Sequence, residues 1–183
     1  MKVHFRNYNR KDFRRVRDFL VDSFPRFARP RNWLIDRWNF VSEVGRIMNR
    51  LSESQWADGI GLWEDSGRIA AIANEEEGKG DVFLQFASPG VMTEPLVREM
   101  LSFADSHCIR PRKGDPGYML RVPDGDDLPA RLAAEQGLVK TFSPTAGWRS
   151  IDSDPPPITG KSLTWPCWVP RETWFHSPRS GWT

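Results

Sequence analysis

Residues 60–86 read IGLWEDSGRIAAIANEEEGKGDVFLQF. Three short apolar runs, over 60–63, 69–73 and 82–86, are separated by D-S-G-R and by E-E-E-G-K-G. Apolar runs of this length between turn signals are typical of strands, and glycine supplies the positive φ angles that tight hairpin turns need. The stretch therefore predicts a three-stranded antiparallel meander.

One strand and two helices are predicted before this meander. Residues 3–8 alternate between apolar and polar side chains, as in a half-buried strand. Asn9 is a candidate cap for a first helix, which ends near Phe24 because Pro25 follows. A second helix follows Asn32 and carries a broad apolar stripe at helical spacing, formed by Trp33, Leu34, Trp38, Val41, Val44, Ile47, Met48 and Leu51.

Helices and strands alternate after the meander. Helical spacing resumes at Leu96 and ends near Cys108. A strand over 118–122 precedes a helix over about 128–136, which Gly137 closes, and residues 138–142 and 148–151 supply one or two final strands. The element order is β-α-α-β-β-β-α-β-α-β, which predicts a mixed α/β fold.

Composition bounds the class of protein. A chain of 183 residues with 39% hydrophobic residues is the size of one globular domain with an appendage. No stretch is as long and apolar as a membrane span or a signal-peptide core, so we expect a cytoplasmic protein without membrane contact. Two cysteines, Cys108 and Cys167, are too few for a disulfide framework, and their neighbours do not indicate zinc. We expect reduced thiols and no metal site.

Charge is distributed unevenly along the chain. Residues 1–50 hold 13 Lys and Arg against 5 Asp and Glu, whereas residues 51–183 hold 13 against 19. A basic head either attracts phosphates and acidic partners or is a solvated helix face. Nucleic acid is an unlikely partner, because basic and aromatic residues are not interleaved as in RNA-binding proteins.

Four stretches resemble a known family. They are NWLIDRWNF (32–40), IGLWED (60–65), DVFLQF (81–86) and AAEQGLV (133–139). Together with the element order, they are similar to segments of bacterial proteins of the GNAT superfamily, the Gcn5-related N-acetyltransferases. The resemblance covers about residues 1–150. It implies a mixed, mostly antiparallel sheet flanked by helices, and transfer of an acetyl group from acetyl-CoA to a primary amine by direct attack.

The resemblance also implies a site for the pyrophosphate of acetyl-CoA at the junction between the last meander strand and the following helix. The residues expected there are Phe86, Ala87, Ser88, Gly90, Val91 and Met92. The family's usual motif, Q/R-x-x-G-x-G/A, is absent, and the nearest pattern, Glu75-x-x-Gly78-x-Gly80, lies in a predicted hairpin.

Two residues at this junction oppose phosphate binding. Glu94 places a carboxylate at the positive end of the helix dipole, and Pro95 has no N–H to donate. With Thr93 as cap, the sequence is well suited to starting a helix. The chain is therefore either an active acetyltransferase or a non-catalytic GNAT-like domain that shapes a cleft for a partner, such as a second GNAT domain or a second copy.

Candidate catalytic residues follow from the resemblance. The family needs a proton donor near the thiolate leaving group and a base for the amine. Tyr118 is the candidate donor and Glu75, beside Glu76 and Glu77, the candidate base; their alternative roles are a half-buried strand aromatic and an acidic turn.

Two further groups are candidate binding residues. Trp33 and Trp38 either line a cleft for the amine substrate or pack in the core. Arg110, Arg112 and Lys113 either contact the adenosine phosphate or form a solvated loop.

The C-terminal tail differs from the rest of the chain. We expect residues 1–151 to form the GNAT-like domain and residues 152–183 to form an irregular appendage without a core element, because this tail holds six prolines, four tryptophans and no apolar periodicity. Exposed tryptophans at this density favour association. The tail is either a natural motif, WPCWVPR (165–171), that docks on a partner or on the sheet, or the product of a shifted reading frame in a tandem GNAT gene.

Overall fold

The computed structural model describes residues 3–111, 116–141 and 172–176. Its strands are β1 (His4–Asn7), β2 (Ile60–Asp65), β3 (Arg68–Glu76), β4 (Asp81–Phe86), β5 (Met119–Pro123), β6 (Val139–Thr141) and β7 (Glu172–His176). Its α-helices are α1 (Phe13–Ser23), α2 (Ile35–Phe40), α3 (Arg46–Met48), α4 (Glu53–Asp58), α5 (Glu94–His107) and α6 (Asp127–Glu135).

The strands form one sheet in the order β1-β2-β3-β4-β5-β7-β6. Only the β4–β5 pair is parallel among these neighbours. The mixed α/β class and the order of the predicted elements are confirmed, with α4 and β7 as additions. The meander is also confirmed: β2 and β3 join through Ser66 and Gly67, whose φ angles of 51° and 78° suit a tight hairpin turn.

Two clusters of buried side chains cover the two faces of the sheet. On one face, aromatic residues of the segments from Tyr8 to Trp56 pack on Ile60, Leu62, Ile72 and Phe83. On the other face, α5 and α6 pack on Ala71, Ala73, Val82, Leu84 and Phe86. Because adjacent strand residues point to opposite faces, both sides of the central strands are buried, which explains their nearly continuous apolar runs.

The first helix begins as predicted. Asn9 accepts a hydrogen bond from the Lys11 N–H at 2.9 Å, and the Asp12 carboxylate accepts one from the Asn9 N–H at 3.1 Å. This capping box opens a short 3₁₀ turn, Arg10–Asp12, that leads into α1. Helix α1 ends at Ser23, one residue before the predicted end.

The second helix differs from the prediction in both geometry and orientation. It consists of α2, a π-helical stretch over Val41–Gly45, and α3. Its apolar residues do not all face the core: Trp33, Trp38 and Val41 are buried, whereas Leu34, Val44, Ile47 and Met48 are exposed. The extra residue per turn in a π-helix rotates the later side chains away from the face that a regular helix would present.

Helix α4 was not predicted, although its start has a recognisable signal. Ser52 and Gln55 form a reciprocal capping box, in which the Ser52 hydroxyl accepts from the Gln55 N–H and the Gln55 amide oxygen accepts from the Ser52 N–H. The pattern Ser-x-x-Gln before an apolar residue is the sequence signature of such a start. This helix places Trp56 in the aromatic core.

The prediction that the tail contains no core element is wrong for residues 172–176. They form β7, which pairs antiparallel with both β5 and β6, and Phe175 is 4% exposed in the core beside α6. The physical reason is that the facing edges of β5 and β6 carry backbone N–H and C=O groups that need hydrogen-bond partners. The five-residue segment between them supplies these partners. The rest of the tail, the predicted strand at 148–151 and the domain boundary at residue 151 lie outside the described residues.

Candidate functional site

The centre of the sheet contains a split between its two parallel strands. The register joins Asp81–Phe83 of β4 to Met119–Arg121 of β5. Beyond this pairing, β4 continues through Leu84–Phe86 and β5 through Val122–Pro123. Ligands of parallel strands usually bind at the carboxyl ends of the strands, so the split is the natural place to look for a site.

Asn32 binds the edge of β4 inside this split. Its amide nitrogen donates to the Phe86 carbonyl at 2.7 Å, and its amide oxygen accepts from the Phe86 N–H at 3.1 Å. The same nitrogen donates to the Ser23 hydroxyl at 2.8 Å. A side chain that is 7% exposed thereby occupies both polar groups of one strand residue.

Arg31 fills the neighbouring part of the split. Its Nη1 donates to the Leu84 carbonyl at 2.8 Å, and its Nε lies 2.6 Å from Oδ2 of Asp126, just before α6. The guanidinium lies over the Phe86 ring, 4.5 Å from its centroid. Burial lowers the pKa of Arg31 below its ordinary value, while Asp126 opposes that shift. With 4% of its side chain exposed, Arg31 is a buried cation that joins β4 to the β5–α6 connection.

The loop after β4 offers few free N–H groups to an anion. Five residues that would form the predicted pyrophosphate site, or lie next to it, already donate within the chain: Phe86 to Asn32, Ala87 to Ala70, Val91 to Ser88, Met92 to Pro89 and Thr93 to Val91. Gly90 is exposed in a 3₁₀ turn. A phosphate cradle needs several convergent N–H groups, so this loop is a poor cradle.

Glu94 stands at the first position of α5, as predicted, and is already paired. Its two oxygens lie 2.7 Å from Arg98 and 2.9 Å from Arg131, and both arginines also pair with Glu135. Hydrogen bonds from Arg98 and Arg131 lower the pKa of Glu94. The four charges cancel, so the start of α5 presents no net positive charge to a phosphate.

Tyr118 and Glu75 lie near the opposite, paired end of β4 and β5. Tyr118 is fully buried in the core with α5. Glu75 is 4% exposed; it accepts a hydrogen bond from the Gly80 N–H at 2.6 Å and pairs with Arg110. Burial raises the pKa of Glu75, although Gly80 and Arg110 favour its charged form. As catalytic residues both stay predictions, and the structure does not bring them to the split.

The other candidates occupy structural positions. Glu76 pairs with Arg37 at 2.6 Å and Glu77 with Lys79 at 2.7 Å. Arg110 pairs with Glu75 and donates to the His107 carbonyl, while residues 112–115, which include Arg112 and Lys113, lie outside the described residues.

Trp33 and Trp38 pack in the core, which is the second of the two roles considered for them, and as substrate-cleft residues they stay a prediction. They are 4% and 0% exposed, and their ring centroids lie 6.4 Å apart within the aromatic core. The Arg37 guanidinium lies 4.7 Å from the Trp33 ring and closes the cluster from outside. Trp38 packs against Tyr8 and Trp56, and Trp33 packs against Phe83.

A groove of about 520 Å³ is lined in part by Ala87 and Val91, two residues of the predicted pyrophosphate site. Its charged walls balance, with three arginines against three aspartates: Arg15, Arg26 and Arg68 against Asp18, Asp22 and Asp65. A groove that recognises phosphates would carry an excess of cations. This one has none.

Residues 3–111, 116–141 and 172–176 contain neither a candidate metal site nor a candidate membrane-spanning helix. No three His, Cys, Asp or Glu side chains in these ranges converge as metal ligands. The helices in the same ranges are too short or too polar to cross a bilayer. Cys108 is a buried free thiol, and burial raises its pKa.

The acetyl-CoA that the resemblance implied does not fit the split as it is folded. The edge of β4 is bound by Asn32 and Arg31, and the adjoining loop and helix start offer few free N–H groups and no net positive charge. Sequence reasoning missed Arg31, Asn32 and Asp126. Their contacts join positions 53 to 95 residues apart, and a loop arginine gives no local signal that it will be buried.

Solved structures with a similar fold include GNAT acetyltransferases. The chain matches yncA from Salmonella typhimurium, solved with its cofactor acetyl-CoA, with a TM-score of 0.56 and 14% identity over 100% of this chain and 97% of that one. It matches the diaminobutyrate acetyltransferase EctA from Paenibacillus lautus, solved with L-2,4-diaminobutyric acid and coenzyme A, at a TM-score of 0.51 and 12% identity over 96% and 93%.

A GNAT-family acetyltransferase from Streptococcus pneumoniae matches with a TM-score of 0.50 and 13% identity over 96% of this chain and 97% of that one. No protein-family model matches the sequence, and no curated protein matches it. At these identities the likeness establishes the fold and leaves the chemistry open. By strand order, by its one parallel pair and by these matches, the chain is a GNAT-fold domain.

Proposed function

We propose that this chain is a non-catalytic GNAT-fold domain, which does not hold acetyl-CoA in the β4–β5 split and serves as a structural partner for another protein domain. The observation that carries the proposal is the buried contact of Arg31 and Asn32 with Leu84 and Phe86. A linear ligand lying between the two strands needs these edge groups, and they are already bound.

The charge distribution supports the proposal. Five arginines of the first 50 residues form ion pairs with acidic side chains: Arg6, Arg10, Arg15, Arg31 and Arg37. Five of the 13 lysines and arginines in residues 1–50 are thus already paired within the chain. These five are not available to a nucleic-acid or other polyanionic partner, whose binding depends on unpaired cations.

The exposed part of the second helix supports the role of a protein partner. Phe40, Val44, Ile47 and Met48 are 46%, 46%, 64% and 71% exposed, and all four lie within nine residues of the second helix. We call these four residues the exposed apolar patch. A second GNAT domain, the partner expected from the resemblance, is the occupant we propose for it, because exposed apolar residues close together favour burial against another protein.

The test is a calorimetric titration of acetyl-CoA into the purified chain, repeated as a thermal-shift measurement. We expect no heat of binding and no change in melting temperature up to about 1 mM ligand, about the upper end of ordinary enzyme affinities. Saturable binding at micromolar concentration would contradict the proposal. An active GNAT acetyltransferase assayed in the same buffer serves as the positive control.

A second candidate is acetylation of a primary amine by direct attack on acetyl-CoA. It is favoured by the divergence of β4 and β5 beyond Phe83 and by two exposed arginines, Arg98 and Arg131, beside the start of α5. Release of free thiol from acetyl-CoA in the presence of a panel of primary amines distinguishes this candidate, because the non-catalytic domain releases none above the uncatalysed rate.

A further inference from the structure

The polar groups at the end of β4 face in a known direction. In an antiparallel pair, residues alternate between pointing their N–H and C=O toward the partner and away from it. The Ala87 N–H donates to the Ala70 carbonyl, toward β3. Phe86 and Leu84 therefore point their groups away from β3, into the split. Once buried there, unpaired backbone groups are costly, so something must bind them.

Asn32 supplies what a neighbouring strand residue would supply. An amide side chain carries one acceptor and one donor group, and both meet the backbone of Phe86. The Trp33 N–H continues the connection by donating to the Gln85 side chain at 2.8 Å. The segment is thus attached to the face of β4 as well as to its edge.

Arg31 extends the contact across the split. Its guanidinium binds the Leu84 carbonyl on one side and Asp126 on the other, while its flat face lies on Phe86. The planar fork of arginine suits this double contact, which the compact ammonium group of a lysine does not reproduce because its donors all lie on one atom. Asp126 immediately precedes α6, so Arg31 links the two diverging strands where they no longer pair with each other.

We propose that Arg31 and Asn32 are the permanent internal occupants of the β4–β5 split, and that they hold the diverging strands together in place of a bound cofactor. The inference rests on the proposed function, because it requires that no acyl donor displaces the segment. It assigns Arg31, Asn32 and Asp126 the role of holding β4 and the β5–α6 connection in place. None of these three is among the site residues that the resemblance implies.

The test is hydrogen exchange of the full chain, followed by mass spectrometry of a peptide that includes residues 84–86. In Arg31→Ala and in Asn32→Ser we expect exchange of this peptide to be at least about tenfold faster than in wild type, because opening the split no longer breaks these bonds. Arg26→Ala, which removes an exposed arginine from the 3₁₀ turn at the start of the same connection, is the matched control and should exchange as wild type does. The peptide covering 69–73 of β3 should stay protected in all variants.

Two further measurements keep the outcomes distinct. If Arg31→Ala does not fold, Asp126→Asn removes only the charge that faces Arg31 and should also accelerate exchange of the 84–86 peptide. Acetyl-CoA added to wild type should leave that peptide unchanged. Protection by acetyl-CoA would overturn the proposed function itself. Unchanged exchange in Arg31→Ala, Asn32→Ser and Asp126→Asn would overturn this inference alone, since the chain would still lack cofactor binding.

Discussion

The two ends of the β4–β5 pair satisfy the same requirement in different ways. At the end of the pair formed by Asp81–Phe83, β4 and β5 bind each other through backbone groups. At the end of Leu84–Phe86, side chains from the loop between α1 and α2 bind the backbone of β4. A parallel pair of strands at the centre of a sheet can therefore diverge without leaving buried polar groups unpaired, provided that a loop supplies amide and guanidinium groups opposite the strand's free backbone groups.

The candidate catalytic residues and the residues that fill the split also lie at different ends of this strand pair. Tyr118 and Glu75 lie near the paired end, whereas Arg31, Asn32 and Asp126 lie at the divergent end. Enzymatic group transfer needs the reactive groups beside the bound ligand. In this chain the two candidate catalytic residues, Tyr118 and Glu75, lie away from the divergent end of β4 and β5.

Asn32→Leu should have the largest effect on the divergent end. The leucine has a similar volume but leaves the Phe86 N–H and C=O without partners in a buried position, so we expect a loss of about 3 kcal/mol in the free energy of unfolding. Urea denaturation followed by tryptophan fluorescence measures it. Asn39→Leu, at a partly exposed position of α2, is the control. A loss below about 1 kcal/mol for Asn32→Leu would mean that the split does not need its internal ligand.

Arg31→Met should cost about 2 kcal/mol, because it leaves the Leu84 carbonyl unpaired and Asp126 without its counter-ion. The double variant Arg31→Met/Asp126→Asn should lose less than the sum of the two single variants, by about 1 kcal/mol, because the pair acts as a unit. The same denaturation experiment tests both statements. Strict additivity would show that the two residues do not stabilise the fold together.

Glu75→Gln tests the paired end of β4 and β5, because the stability difference between this variant and wild type should depend on pH. Because burial raises the pKa of Glu75 in the folded chain, the unfolded chain ionises first as pH rises. The stability that Glu75 contributes is thus fully present below its ordinary pKa of 4.5 and is lost as pH rises through the folded value.

We therefore expect the stability of wild type, relative to Glu75→Gln, to fall between about pH 4 and pH 7. Urea titrations of both proteins at the two pH values measure this difference. A difference that stays constant would show that the buried carboxyl does not change its protonation in this range.

Glu94→Gln should have the smallest effect. The ion pairs of Glu94 with Arg98 and Arg131 lie at the surface, where solvent and salt screen them. We expect the melting temperature of Glu94→Gln to match that of wild type at physiological salt, and acetyl-CoA to leave both unchanged. A cofactor-dependent shift in Glu94→Gln alone would identify the carboxylate as the group that excludes the pyrophosphate.

The sequence predicted the elements whose signals are local. The meander over 60–86, the Asn9 cap and the positive φ of 85° at Gly137 all follow from turn and cap chemistry within a few residues. The apolar stripe predicted for the second helix assumed the regular spacing of an α-helix. The π-helical stretch at Val41–Gly45 does not keep that spacing. Strand β7 was missed because five residues between prolines carry too short a pattern to stand out.

The candidate site was predicted only in part. Glu94 and Pro95 were correctly identified as the start of a helix, since a cap, an acid and a proline follow one another there. The occupants of the split were beyond sequence reasoning, because the partners of Arg31 are Leu84 and Asp126, which only the tertiary fold brings near. Burial of a charged loop residue depends on such distant contacts rather than on local propensity.

Strand β7 has a consequence for how the chain is made. Residues 172–176 lie between β5 and β6, so these two earlier strands reach each other only through a segment that is synthesised more than 30 residues after β6 begins. During translation, both strand edges must wait unpaired until this segment has left the ribosome. Chaperone demand in this protein should therefore persist until residues 172–176 have emerged, because the unpaired edges are open to wrong pairing until then.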